Sequence, residues 1–218
     1  MKLYKICNKI SLLLHVLASA AGYFVMEAIC RHSFIEAWNY MTQRPLVFAY
    51  NAAFIFTSSL IVYLFHRRVF WRVLVTLFWL ILAIINGVLL LNRVTPFTGP
   101  DLHLITDAMK IANKYLPVAG VVAVCILFGI LVILLLMLLI KGPKYQKKIK
   151  YRYNIPLILL AVALFAGSTQ LALEKRVLSN YFGNIAFAYE DYGYPYCLAT
   201  TIFNTCLLYT SDAADDRI

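Results

Sequence analysis

Acidic residues are scarce in this chain and unevenly placed. Ten Asp and Glu stand against twenty Lys and Arg, and no acid falls within residues 1–9, 66–72 or 141–154. The long apolar stretches also lack polar/apolar alternation, which excludes a closed barrel as the way to satisfy backbone groups in hydrocarbon. Cysteine occurs five times, but with no CxxC and no His/Cys ligand spacing, so no metal-binding or redox motif is present. Cys197 and Cys206 fall in one outer segment and Cys30 at its edge, and pairing among them stays open. The first apolar run exits through Glu27-Ala28-Ile29-Cys30-Arg31. That exit has no Ala-x-Ala-type cleavage site, and the run is too long for a signal-peptide core, so it is read as a retained span.

Long apolar runs fill the rest. Hydrophobic residues make up 62% of the chain, with a mean hydropathy of +0.77, far from a soluble domain. Five runs, 10–30, 45–65, 73–91, 118–140 and 155–173, are each about as long as a helix needs to cross a hydrocarbon core of roughly 30 Å. The predicted fold is therefore an all-α polytopic bundle of five transmembrane helices over residues 1–173. The acid-free segments hold twelve of the basic residues: Lys2, Lys5, Lys9, Arg67, Arg68, Arg72, Lys141, Lys144, Lys147, Lys148, Lys150 and Arg152. Lys and Arg in short loops set orientation, which predicts a multi-pass cell-membrane protein with the N-terminus cytoplasmic and the C-terminus outside. The net charge of +10 is thus orientation charge rather than a nucleic-acid footprint. The Lys141–Arg152 run would also attract anionic headgroups, at about 1 kcal/mol per residue.

Polar groups inside the spans are few. His15 and Glu27 are the ionisable ones in the first run, and such groups are functional candidates by default, although both lie near enough to an edge to reach polar surroundings. The Ala18-Ser19-Ala20-Ala21-Gly22 stretch predicts a close helix approach. Asn51 and Asn86 read as glue between helices. Asn92–Pro100 carries two Pro and a Gly and predicts a shaped, non-helical strap. Asp101 stands where a helix N-cap belongs. After it, Leu102, Ile105, Met109, Ala112 and Leu116 recur at spacings of three and four, which predicts an extracellular amphipathic helix lying on the outer leaflet or the bundle. Arg93 sits at the membrane surface, where a planar guanidinium suits either a lipid phosphate or simple snorkelling. Residues 174–205 are rich in Tyr and Phe and read as a juxtamembrane linker in the interface belt.

Two segments carry a family resemblance. Arg93-x-Thr95-Pro96 followed by Asp101-Leu102 and an amphipathic helix, between the third and fourth of five spans, resembles the membrane part of the lipoteichoic acid synthase family. That family includes related phosphoglycerol transferases with an extracellular sulfatase-like domain. The stretch from Tyr181-Phe182-Gly183-Asn184 to Tyr194-Pro195-Tyr196 is similar to the juncture leading into that domain. The resemblance implies phosphoglycerol transfer from phosphatidylglycerol to a glycerol-phosphate polymer of the cell envelope. It also implies a threonine nucleophile and a divalent metal, usually manganese, in the extracellular domain. No residue here matches those catalytic or metal-ligand motifs, so none is carried over, and this chain alone is expected to be inactive. Lipid or headgroup contact is expected from Arg93, Thr95, Asp101 and Glu27.

The string Cys206-Leu207-Leu208-Tyr209-Thr210-Ser211-Asp212-Ala213-Ala214-Asp215-Asp216 resembles one reading frame of a transposon-based sequencing adapter. Residues 206–218 are therefore expected to be a non-native tail, replacing a catalytic domain joined after residue 205. The alternative is a small polytopic membrane protein, either a non-catalytic envelope scaffold or a transporter.

Overall fold

The computed structural model describes residues 11–103, 118–145 and 148–215, leaving aside the side chains of 103, 118–125 and 206–215. Among the described residues all regular structure is helical. In chain order the helices are α1 (Ser11–Cys30), α2 (Phe34–Gln43), α3 (Pro45–Ser59), α4 (Arg68–Leu90), α5 (Gly99–His103), α6 (Val118–Lys141), α7 (Tyr151–Glu174), α8 (Ile185–Tyr192) and α9 (Tyr194–Asp215). A 3-10 turn over Leu60–Leu64 extends α3. Four segments are long and apolar enough to cross a bilayer: Ser11–Cys30, Pro45–Leu64, Arg68–Leu90 and Tyr151–Glu174. The fourth expected run lies in α6, whose described apolar side chains begin at Ile126. The amphipathic helix expected from Asp101 to Leu116 falls outside the described residues after His103, where only the short α5 is seen.

Local sequence accounts for the helix ends. Ser33 caps α2, its hydroxyl accepting from the Glu36 amide at 3.3 Å, and Pro45 opens α3 where its missing N–H costs nothing. Asn184 caps α8 through the Ala186 amide at 2.9 Å. The spans themselves expose wide apolar surface, including Leu13, Leu17, Phe78, Ile84, Leu134, Leu157 and Leu164. No residue of α7 is buried. A long apolar helix packed along one side only, on α3 and its 3-10 turn, leaves its other faces suited to a hydrocarbon solvent.

The packed core is α1 against α3 and α4, with α2 and α8–α9 laid across one end. The close crossing is not at the expected small-residue stretch. A Cβ at Gly22 would meet nothing within 4 Å, and Ala18 and Ala21 are exposed. The close approach is at Gly87 of α4, where a Cβ would sit 3.0 Å from the Ile29 carbonyl oxygen. The small residues of α1 instead border a cavity of about 270 Å³ beside His15, Ser59 and Trp79. Residues 174–205 are partly helical. They form α8 and the start of α9, and α9 runs on without a break to Asp215.

Gly87→Leu is expected to lower the unfolding free energy by about 1–3 kcal/mol through overpacking against α1, whereas Gly22→Ala stays within about 0.5 kcal/mol. Thermal denaturation in detergent, followed by circular dichroism, reads the difference. Equal losses at the two positions would show that the crossing is elsewhere.

Candidate functional site

The end of the bundle carrying Arg31 is built around the start of α9. Four backbone N–H groups at a helix start need outside acceptors, and a side chain at the preceding residue normally supplies one. Here that residue is Gly193, which has no side chain. Its φ of 78° lies in the left-handed region, and a Cβ would collide with the Tyr23 and Tyr40 hydroxyls. The acceptors come from the spans instead. Glu27 of α1 accepts from the Tyr194 amide at 3.2 Å, and Asn51 of α3 accepts from the Tyr196 amide at 3.0 Å. The Asn51 amide also donates to the Tyr192 carbonyl at 2.8 Å, holding the turn between α8 and α9. Pro195 sits in the first turn, where its fixed φ suits a helix start.

Glu27 is fully buried, and a buried carboxylate needs a charge partner. Arg31, one turn on, donates from Nε to Oε2 at 2.9 Å. Its Nη2 reaches the Glu190 carbonyl of α8 at 3.2 Å, and its guanidinium faces the Tyr40 ring at 4.3 Å. The positive end of the α9 dipole adds a second favourable field at the carboxylate. Burial works against the charge on Arg31, but the Glu27 carboxylate outweighs it and raises the guanidinium pKa. Burial also pushes the Cys197 thiol well up, and both Cys30 and Cys197 are free and buried, without a disulfide.

The strap forms a second, neighbouring cluster. Arg93 makes four hydrogen bonds: Nε to the Thr95 carbonyl, Nη2 to the Pro96 carbonyl, and Nη1 and Nη2 to the two Asp101 carboxylate oxygens at 2.9 and 2.7 Å. Asp101 also accepts from the Thr98 amide and hydroxyl; it is not the N-cap the sequence suggested, because α5 already starts at Gly99 and Asp101 lies in its first turn, reaching back to Thr98. Burial would raise the Asp101 carboxyl, but the bonds from Arg93 and Thr98 win and hold it below the usual carboxylate range. Asn86 of α4 accepts from the Phe97 amide at 2.7 Å, and the Gly99 amide donates to Thr201 of α9 at 3.0 Å. A Cβ at Gly99 would stand 2.7 Å from the Thr201 carbonyl oxygen, so the strap presses directly on α9.

The sequence candidates therefore fall into two groups. Arg93, Thr95 and Asp101 come together in the strap, with the guanidinium bonded inward. Glu27 lies apart, beneath the start of α9. His15 is at the other end of α1, with Nε2 2.6 Å from the Ser59 hydroxyl and Nδ1 3.3 Å from that of Tyr63. Sequence reasoning missed Asn51, Asn86, Gly193 and Thr201 as parts of the cap. Asn51 joins α3 to the backbone of α8 and α9, whereas Asn86 of α4 bonds to the strap rather than to another helix. Gly193-Tyr194-Pro195 was the available signal, since a Gly followed by a Pro in the first turn marks a helix boundary.

Among the described residues no group of three or more His, Cys, Asp or Glu is placed to hold a metal ion, so no chemical step is derived through one. No family model, curated protein or solved structure matches the chain.

Removing one partner of a buried ion pair costs about 3–5 kcal/mol. Glu27→Leu should accordingly free α8–α9 and open Cys197 to maleimide, as read by peptide mass spectrometry, while the wild-type thiol stays protected. Labelling that does not change would mean Glu27 does not hold the cap. For the strap, a folded-state carboxyl below its unfolded value stabilises above the ordinary Asp range and loses that contribution on acidification. Thermal stability should be level from neutral pH to about 5, then fall below about pH 4, and Asp101→Asn should remove the Asp101 share of that fall.

Proposed function

We propose that this chain is the membrane anchor of a lipoteichoic acid synthase-like phosphoglycerol transferase, acting in synthesis of anionic cell-envelope polymer. In this reading five spans carry a sulfatase-like extracellular domain joined after residue 205. The N-terminus is cytoplasmic, and the Arg31 end of the bundle faces outward. Phosphatidylglycerol is the lipid substrate, and the divalent metal belongs to the extracellular domain.

The observation that carries the reading is the fixed exit of the chain. A tether needs only a flexible linker after its last span. Here α8 and α9 are instead bonded to α1 and α3 through Glu27, Arg31 and Asn51, and to the strap through Thr201. Such bracing suits an anchor that holds an attached domain at a set height and angle over the lipid surface. In that role Arg93 acts through the strap, because its hydrogen bonds are spent on Thr95, Pro96 and Asp101. A non-catalytic envelope scaffold is the second reading, since the same braced cap would serve a docking partner.

Sequencing the source DNA across the codons for Asn204 to Cys206 separates the two. The anchor reading expects the frame to continue for several hundred residues, with a threonine among metal ligands. The continued protein should release diacylglycerol from phosphatidylglycerol when manganese is supplied. A stop directly after Ile218 would overturn it in favour of the scaffold.

A further inference from the structure

The opposite end of the bundle holds charge that no described residue neutralises. Arg68 and Arg72 stand one turn apart at the start of α4, a spacing at which like charges repel. Their guanidiniums flank the Tyr63 ring at 5.2 and 5.9 Å from its centroid, and Arg68 lies 3.6 Å from that of Tyr145. The Nε atoms of both are buried with no hydrogen-bond partner. None of the ion pairs among the described residues includes either side chain. Arg67 differs, because its Nη1 donates to the Ile140 and Gly142 carbonyls at the end of α6.

Next to this pair a groove of about 880 Å³ separates α3 and its 3-10 turn from α7. Its walls are apolar, with Leu12, Phe56, Leu60, Leu157, Leu160 and Leu164, and Arg68, Tyr63 and Tyr145 line it too. Ser11 is the first described residue of α1, Tyr63 lies in the 3-10 turn and Asn154 in the first turn of α7, so the polar lining gathers at one end.

We propose that this groove holds one acyl chain of an anionic phospholipid, with the phosphate against Arg68 and the charge of Arg72 adding to the field. A soluble anion would satisfy the guanidiniums but leave the apolar walls uncovered. A zwitterionic lipid would cover the walls but bring no net charge. Residues 1–10 could reach the same end of the bundle, but their ionisable side chains are Lys2, Lys5 and Lys9, together with Tyr4 and Cys7, and carry the wrong sign. Arginine's planar fork suits a phosphate diester. The site requires only that the spans lie in a bilayer, and it stands whether or not a further domain is joined after residue 205.

Purified chain in detergent, given equal amounts of dioleoylphosphatidylglycerol and dioleoylphosphatidylcholine, tests this by native mass spectrometry. One tightly retained phosphatidylglycerol is expected, with a preference of about fivefold for each guanidinium involved. Arg68→Gln should cut the preference about fivefold, with Arg72→Gln as a second variant should the first fail to fold. Leu160→Trp, which fills the groove, should abolish retention of both lipids with the helical signal unchanged. Equal retention of the two lipids, or a preference that Arg68→Gln and Arg72→Gln leave intact, would overturn the site. So would displacement by inorganic phosphate alone, which assigns the cations to a soluble anion. A disulfide between Cys7 and Leu160→Cys would put the chain's own N-terminus in the groove and overturn it as well.

Discussion

Everything at the Arg31 end depends on how the N-terminus of α9 is capped. A helix start normally carries its own acceptor, one residue before the first turn. This one carries Gly193, and its acceptors are Glu27 and Asn51, from spans more than a hundred residues earlier. Two constraints then reinforce each other. The glycine is required because any Cβ would strike the Tyr23 and Tyr40 hydroxyls, and a glycine cannot cap, so the spans must. Glu27 in turn stays buried with Arg31 and the Tyr194 amide as its partners. Loss of either part leaves the other uncompensated, which is how a local cap becomes a tertiary lock.

The strap extends the same logic to α4. Asn86 holds Phe97, Arg93 and Asp101 fix the strap's shape, and Gly99 meets Thr201. Three spans thus each send one buried polar side chain, Glu27, Asn51 and Asn86, to the same end, and all three end on backbone amides of the cap. Inside hydrocarbon such side chains usually serve contacts between helices. Placed within about a turn of a helix end or facing the cap, they satisfy backbone that would otherwise be left open at the edge of the bilayer.

The fold class was legible because its signal is large and local. Apolar run length, basic loops and the absence of alternation each depend on neighbouring residues only. The first apolar run and α1 both end at Cys30, and the strap followed from Pro96, Gly99 and Pro100. Asp101 was expected to cap a helix, but α5 starts two residues earlier and Asp101 bonds back to Thr98 from its first turn. The cap of α9 was not, because its partners are Glu27 and Asn51, and no single-sequence period links positions that far apart. The Gly22 expectation failed for a related reason. Small residues permit close approach, but the partner's shape decides where it happens, and Ile29 meets Gly87 instead. Within 174–205 the helix starts follow from Asn184, which caps α8, and Pro195 in the first turn of α9.

The two ends of the bundle treat charge in opposite ways. At the cap, every described ion pair is formed within the protein: Glu27 with Arg31, Arg44 with Asp191, Arg93 with Asp101. Arg44–Asp191 is half-exposed on both sides and contributes little, whereas Glu27–Arg31 is buried and structural. At the other end no ion pair is formed among the described residues. Arg67 is absorbed by carbonyls, but Arg68 and Arg72 face only aromatic rings and the Ser11 hydroxyl. Cation–π contact can shelter a guanidinium at about 0.5–2 kcal/mol, but it does not cancel the repulsion between two of them. The acid-poor composition therefore has a structural consequence beyond orientation. Among the described residues no carboxylate stands at that end, and the proposed anionic phospholipid would supply the balancing charge.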